Sequence, residues 1–332
     1  MKSPVKILIL QFASIGEVVL ASPVIRCLKE QIDHAEIHFC TRPAYACLIE
    51  HNPHIKTCHV GSENPLTLIR QLRAEHFDLI VDLQNNLLTT LLRTALAVRS
   101  YSVETYQFRN LVYLKSKINT LPPGHVVDRY FAAIEPLGIE DDEMGADYFI
   151  PYKDQVEADW LPVTHQADYV AYAIGGRNFT SRLPVTKMIE LCGQLDFPVV
   201  LLGNKADRAT GEAVVKALGS KLVFNGCGLF NLNQSASIIE NSRAVFAHDT
   251  GLMQIAAAFS KSVYSIWGGN TPNFGWHPYA TSYVRIEKLG LPCRPCTVSG
   301  KGKCPHTHFN CMNDISFDFA IRDLHAKKHK LE

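Results

Sequence analysis

The feature that most constrains this chain is a rhythm. Short, continuous apolar runs alternate with stretches in which apolar residues recur at helical spacing, and the series occurs twice. Val5 to Phe12 is the first run. It ends in a small-residue turn, Ala13-Ser14-Ile15-Gly16, after which Val18, Val19, Ala21, Val24, Ile25 and Leu28 mark one helical face. Such a run is a buried parallel strand feeding a helix. Glu36 to Cys40 and Asp78 to Leu83 read as further strands, and Pro65 to Ala74 reads as an amphipathic helix between them.

A second series follows the polar stretch around Lys153 to Gln166, which reads as a linker. Tyr169 to Ile174, Val199 to Leu202, Leu222 to Phe224, Ala244 to Ala247 and Val263 to Ile266 are short buried strands, each separated by a helical segment. Two such series predict an α/β chain with two Rossmann-like, doubly wound parallel-sheet domains facing a cleft. The expected division is 1–160 and 161–332, the second ending in a C-terminal helix. In sheets of this kind ligands gather beyond the carboxyl ends of the strands, so the loops there are the places to look.

Composition narrows the function classes. The chain has 332 residues, 47% hydrophobic and 20% charged, enough apolar material for two cores. Its formal charge is only +1, so no global field recruits nucleic acid. The longest apolar stretches fall far short of the roughly 20 residues a membrane-spanning helix needs. The first strand begins almost at Met1, leaving no room for an export leader, and a cytoplasmic location is expected. Neither a Gly-x-Gly-x-x-Gly nor a Walker loop occurs, which argues against a nicotinamide enzyme or a P-loop NTPase.

Two strand-to-helix loops carry candidate chemistry. In Ser14-Ile15-Gly16-Glu17, Gly16 would let a ligand approach backbone amides and Glu17 would serve as a general base. The same Ser14 and Glu17 have the S-x-x-E spacing of a capping box, and that alternative is favoured by spacing alone. In His248-Asp249-Thr250-Gly251, a buried strand precedes the alanine-rich segment Leu252 to Phe259, offering free amides and a positive dipole end to an anion. Simple capping of that helix by Asp249 or Thr250 fits the residues equally well.

These loops lie within a wider match. Ala13 to Pro23 resembles the S-x-G-D-v-v-x-t-x-P opening of the ADP-heptose:lipopolysaccharide heptosyltransferases, and Asp249 to Ala258 resembles their D-[ST]-G-x-x-H-x-A-A signature. Val81 to Asn86, His125 to Arg129, Arg182-Leu183-Pro184 and Cys293-Arg294-Pro295-Cys296 follow in family order. The resemblance implies a GT-B fold and an inverting, metal-independent glycosyltransferase with no cofactor. It would move a heptose from an ADP-sugar donor to a lipopolysaccharide core-type acceptor. Carried over by position, Glu17 is the base. Ser14, Gly16, Arg177, Ser181, Arg182, Asp249, Thr250, Gly251, Leu252, Met253 and Gln254 serve the donor and its diphosphate. Asn85 and Asn86 serve the acceptor.

The chain departs from the family pattern at four of these places. Glu17 stands where aspartate is usual, Ser181 where a lysine precedes the proline, Gln254 where the signature has histidine, and Ala206, beside Asp207, where an acid follows the second strand of the C-terminal domain. A catalytically impaired relative that binds a nucleotide sugar or glycan therefore stands as the alternative. A sugar-nucleotide epimerase of the same architecture fits the local motifs less well.

Six of the ten cysteines are scattered singly. Cys293, Cys296, Cys304 and Cys311 have C-x2-C-x7-C-x6-C spacing, with His306 and His308 inside. Tetrahedral zinc is chemically admissible there, but the spacing is not a standard double knuckle, and a metal-free loop is expected. The basic terminus, His325, Lys327, Lys328, His329 and Lys330, could touch anionic headgroups at the inner membrane face; a solvated helix end is the preferred alternative.

Overall fold

The computed structural model describes residues 4–61 and 64–328. The chain forms two compact units: residues 1–106 with 124–149, and residues 107–123 with 150–332. Against an expected break after residue 160, the crossing comes between Phe149 and Ile150, and residues 107–123 go with the second unit.

The strands are β1 (Val5–Leu10), β2 (Ala35–Thr41), β3 (Thr57–Val60), β4 (Leu79–Asp82) and β5 (Ser100–Ser102) in the first unit. The second unit holds β6 (Val170–Ala173), β7 (Val199–Leu202), β8 (Val223–Asn225), β9 (Ala244–His248), β10 (Val263–Trp267) and β11 (Tyr283–Glu287). The helices, in chain order, are α1 (Ile15–Leu20), α2 (Ser22–Gln31), α3 (Pro65–Ala74), α4 (Leu87–Leu96), α5 (Gln107–Ser116) and α6 (Val126–Ile134). They continue with α7 (Val185–Gly193), α8 (Arg208–Leu218), α9 (Leu232–Asn241), α10 (Gly251–Ala258), α11 (Asn310–Asn313) and α12 (Asp318–Lys328).

The first sheet has the order β3-β2-β1-β4-β5 and the second β11-β10-β9-β6-β7-β8, every pairing parallel. Both are doubly wound, and in each the order reverses beside the first strand of the unit. The switch points lie between β1 and β4 and between β6 and β9, where the loops after adjacent strands diverge and leave a crevice. Strands β4, β6, β7, β9 and β10 are buried on every residue, as in VVLL of β7 and AVFAH of β9, because helices cover both faces. The edge strands β3, β5 and β11 are mostly half-exposed. Their lack of a continuous apolar run is why the sequence pattern passes over them.

Polar ties hold the irregular segments. In the first unit the buried Arg26 of α2 bonds Asp142 at 2.6 and 2.7 Å, the Gly145 carbonyl at 2.9 Å, and Asp147. This docks the chain beyond α6 onto the sheet's helix layer. In the second unit the stretch expected to be a linker is packed. Val156 and Leu161 enter the core beside Tyr169, and Asp154 accepts from Asn231 and Asn233 at 2.9 and 3.1 Å. Among the described residues no helix is long and apolar enough to cross a membrane. His325 pairs with Asp196 at 3.3 Å; the side chains of Lys327 and Lys328, with His329 and Lys330, lie outside the described residues.

Candidate active site

At the switch point of the second unit, the last residue of β9 organises the loops. His248 is fully buried, and its Nε2 accepts from the Leu183 amide at 3.1 Å and faces the Tyr172 hydroxyl at 3.2 Å. Its Nδ1 faces the Gly175 carbonyl at 3.1 Å. An amide can only donate and a carbonyl only accept, so the ring is neutral with its proton on Nδ1. Burial holds its pKa down to about 4, which agrees.

Beyond His248 the chain turns into α10. Thr250 occupies the N-cap position with φ −142° and ψ 167°, yet its side chain makes no capping bond. Its Oγ1 is buried without a partner. Met253 N–H returns to the Thr250 carbonyl at 3.2 Å, whereas the N–H groups of the half-buried Gly251 and Leu252 find no backbone acceptor among the described residues. Capping by Thr250 is thus not realised. Asp249 braces the turn by accepting from Asn270 Nδ2 at 2.5 Å. The result is a helix start with bare amides and a positive dipole end, suited to an anion.

Other expected donor residues are placed differently. Met253 is fully buried in the core and its amide is engaged, so it has no group to offer a ligand. Gln254 is 3% exposed and donates through Nε2 to the Trp276 and His277 carbonyls at 2.8 and 3.3 Å, anchoring the following loop. Arg182 holds the Gly176 carbonyl through Nε at 2.6 Å and Asp207 at 2.9 Å. Asp207 also receives the Asn204 amide at 2.9 Å and lies so close to Gly175 and Gly203 that a Cβ there would approach it to 3.1 and 2.9 Å. Ser181 is buried against Gly300, whose φ of +91° only glycine adopts without strain. Arg177, in contrast, is exposed and makes no ion pair or hydrogen bond among the described residues.

In the first unit Ser14 caps α1, which is one half of the capping box that the spacing suggests at the opening loop. Ser14 Oγ accepts from the Glu17 amide at 3.3 Å and donates to Glu17 Oε2 at 2.8 Å, which orients the carboxylate. Arg129 of α6 and the buried Tyr130 both feel the Glu17 charge. Burial pushes the arginine's pKa down and the tyrosine's well up; Glu17 favours the charged form of the first and the neutral form of the second. The Arg129 guanidinium also lies over the Tyr106 ring at 5.1 Å. The carboxylate thus has a cation and a phenol in its field that spacing does not reveal, because α6 is far away in sequence.

Asn85 and Asn86 carry structural duties. Asn85 adopts φ 49°, donates to the Val103 carbonyl at 2.9 Å and accepts from Arg93 at 3.1 Å. Its amide and that of Gln84 bond the buried Asp82 at 2.8 and 3.0 Å. Asn86 caps α4 reciprocally with Thr89. The loop after β4 is tied to the loop after β1 by the Phe12 amide bonding Gln84 Oε1 at 2.7 Å.

A sequence profile of glycosyltransferase family 9 (heptosyltransferase) matches residues 66–304, most of the chain. The chain belongs to this family. It is therefore a glycosyltransferase of the heptosyltransferase type. It is 24% identical over 296 residues to lipopolysaccharide heptosyltransferase 3 of Escherichia coli K12, covering 82% of this chain and 84% of that one. Among solved structures, a family 9 glycosyltransferase from Veillonella parvula superposes with a TM-score of 0.71 at 19% identity, covering 86% of each chain. The E. coli heptosyltransferase WaaC, solved with ADP-2-deoxy-2-fluoro heptose, superposes with a TM-score of 0.66 at 17% identity, covering 88% of this chain and 96% of that one. The architecture of two Rossmann-like domains is the GT-B fold.

Proposed function

We infer that this family 9 enzyme transfers a heptose or closely related sugar from an ADP-linked donor to a lipopolysaccharide core-type acceptor, with inversion at the anomeric carbon. The observation that carries the reading is the uncapped start of α10, where the Gly251 and Leu252 amides lie bare at a sheet's switch point. A diphosphate is the anion such amides suit, and the solved relative bound to an ADP-sugar analogue has the same fold.

In this mechanism the α10 amides and the helix dipole hold the diphosphate and stabilise the charge that grows on it as the bond to the sugar breaks. We assign the exposed Arg177 as the cation for that leaving group. Glu17, held by Ser14, takes the proton from the acceptor hydroxyl as its oxygen bonds the anomeric carbon, and ADP departs. Asp249 keeps the turn in shape through Asn270. The acceptor is assigned to the first unit, near Glu17 and Arg129.

The impaired-relative alternative draws on the commitment of Gln254 and Arg182 to backbone carbonyls and on the burial of Ser181. Calorimetric titration with ADP, UDP and GDP, followed by a transfer assay on wild type and Glu17→Ala, separates the two. ADP binding with turnover that disappears in the variant supports transfer. Binding without wild-type turnover supports the alternative, and no nucleotide binding rejects both.

A further inference from the structure

Arg294 lies between Cys293 and Pro295 in the irregular segment that follows β11, yet it is tied to the turn that opens α10. Its side chain is 8% exposed, and both terminal nitrogens are engaged. Nη1 donates to the Lys288 carbonyl at 2.6 Å, and Nη2 donates to Glu287 Oε2 and to the Asn270 carbonyl, each at 2.8 Å. These acceptors belong to the end of β11, the residue after it, and the loop that follows β10. A planar guanidinium presents its N–H groups in a fixed fork, so one side chain sets the spacing of all three acceptors. An ammonium on a flexible stem carries the same charge without that geometry.

The loop after β10 passes the contact on. Gly268 and Gly269 let its backbone lie against other segments: a Cβ on Gly269 would come within 2.9 Å of Cys296 Sγ, and one on Gly268 would meet the Thr180 carbonyl. Cys296 N–H bonds the Gly269 carbonyl at 2.8 Å, and Gly269 N–H bonds the Thr180 carbonyl at 3.2 Å. The next residue, Asn270, is 1% exposed, and its Nδ2 donates to Asp249 Oδ2 at 2.5 Å. A carboxylate only accepts, so the amide group turns its nitrogen to Asp249 and its oxygen away. That oxygen, Oδ1, is buried without a hydrogen-bond partner among the described residues. An unpaired buried acceptor is destabilising, and the loop tolerates one in the arrangement that keeps the bond to Asp249.

We propose that Arg294 is a positioning residue for the nucleotide: through Asn270 it holds Asp249, and with it the Asp249-Thr250-Gly251 turn, in the conformation that leaves the α10 amides open to an anion. Amides fixed beforehand need no rearrangement when the anion arrives. Glu287 anchors the arginine from the other side. Arg285 also pairs with Glu287, so that carboxylate keeps a cation when Arg294 is changed, and a variant at 294 leaves no isolated buried charge. That the anion is the donor's diphosphate rests on the transferase reading; that Arg294 fixes the turn does not.

The test is Arg294→Lys in the full chain, which keeps the charge and loses the fork. Hydrogen exchange measured without nucleotide should quicken in peptides covering 249–254 and 268–270, while those from β6 and β7 keep the wild-type rate. ADP affinity by calorimetry and the KM for the ADP-sugar should weaken about 2- to 30-fold, with the acceptor KM unchanged. Asn270→Ala breaks the next link, so the double variant should bind ADP no worse than the weaker single one. Additive losses overturn the relay, as does wild-type exchange at 249–254. A rise in exchange spread over the whole second unit marks a general loss of packing and overturns it too. If Arg294→Lys does not fold, Glu287→Gln, which loosens the arginine without removing it, must give the same local exchange, and wild-type exchange there overturns the proposal. Local exchange as expected in a chain that binds no ADP supports the positioning role and counts against the transferase reading alone.

Discussion

The starts of α1 and α10 are the same device built two ways. Each follows a buried central strand at a switch point, and each places a hydroxyl residue at the N-cap, Ser14 in one unit and Thr250 in the other. At α1 the hydroxyl bonds the helix's own amide and carboxylate. At α10 it bonds nothing, and the amides beyond it stay bare. A helix start that satisfies itself can hold a carboxylate still; one that does not is a receptor for someone else's anion. On the proposed transferase reading, the first suits the base and the second the diphosphate.

The strongest test of that division is Glu17→Gln, which keeps length and shape while removing the base. Turnover in the transfer assay should fall about 10²- to 10⁴-fold, with ADP affinity by calorimetry unchanged. A parallel loss of ADP binding would mean the two helix starts do not divide the work. Thr250→Asp makes α10 resemble α1 by supplying an internal anion to its amides. ADP affinity should fall by at least about tenfold through like-charge repulsion, while the helix gains roughly 0.5–2 kcal/mol from the new cap in thermal melts. Unaltered ADP binding would place the diphosphate elsewhere.

A smaller effect comes from His248. Its folded pKa of about 4 lies below the ordinary 6.5, so the unfolded chain binds a proton first as pH falls. Its contribution is whole above pH ~6.5 and fades toward pH ~4, a loss of about 2 kcal/mol between pH 7 and 5. Denaturant titrations should show it, and His248→Gln should remove that share of the slope. His38, His59 and His165, also pushed down by burial, leave a slope of the same sign. The smallest expected change is in Ser14→Ala, about 0.5–2 kcal/mol of stability. A larger drop in turnover than in stability would show that the serine orients Glu17.

Much of this was legible in the sequence where one local signal matched one physical demand. Strands buried on both faces announced themselves as continuous apolar runs, and α3 was read to its ends, Pro65 and Ala74. The edge strands β3, β5 and β11 were not, because a strand covered by few neighbours needs no such run. At the site, His248 had been only a residue beside the Asp-Thr-Gly turn. Its hold on Gly175 and Leu183 depends on strands β6 and β9 being neighbours, which no local pattern encodes. Arg182 looked available to a leaving group until the buried Asp207 was seen to claim it.

The sequence by itself determined the two α/β series, the loops that could bear chemistry and the family, since these rest on period, turn residues and ordered motifs. Only the tertiary structure decided which polar groups remain available. Hydrogen-bond capacity is finite, and whether a side chain or amide keeps any for a ligand depends on neighbours brought from remote parts of the chain.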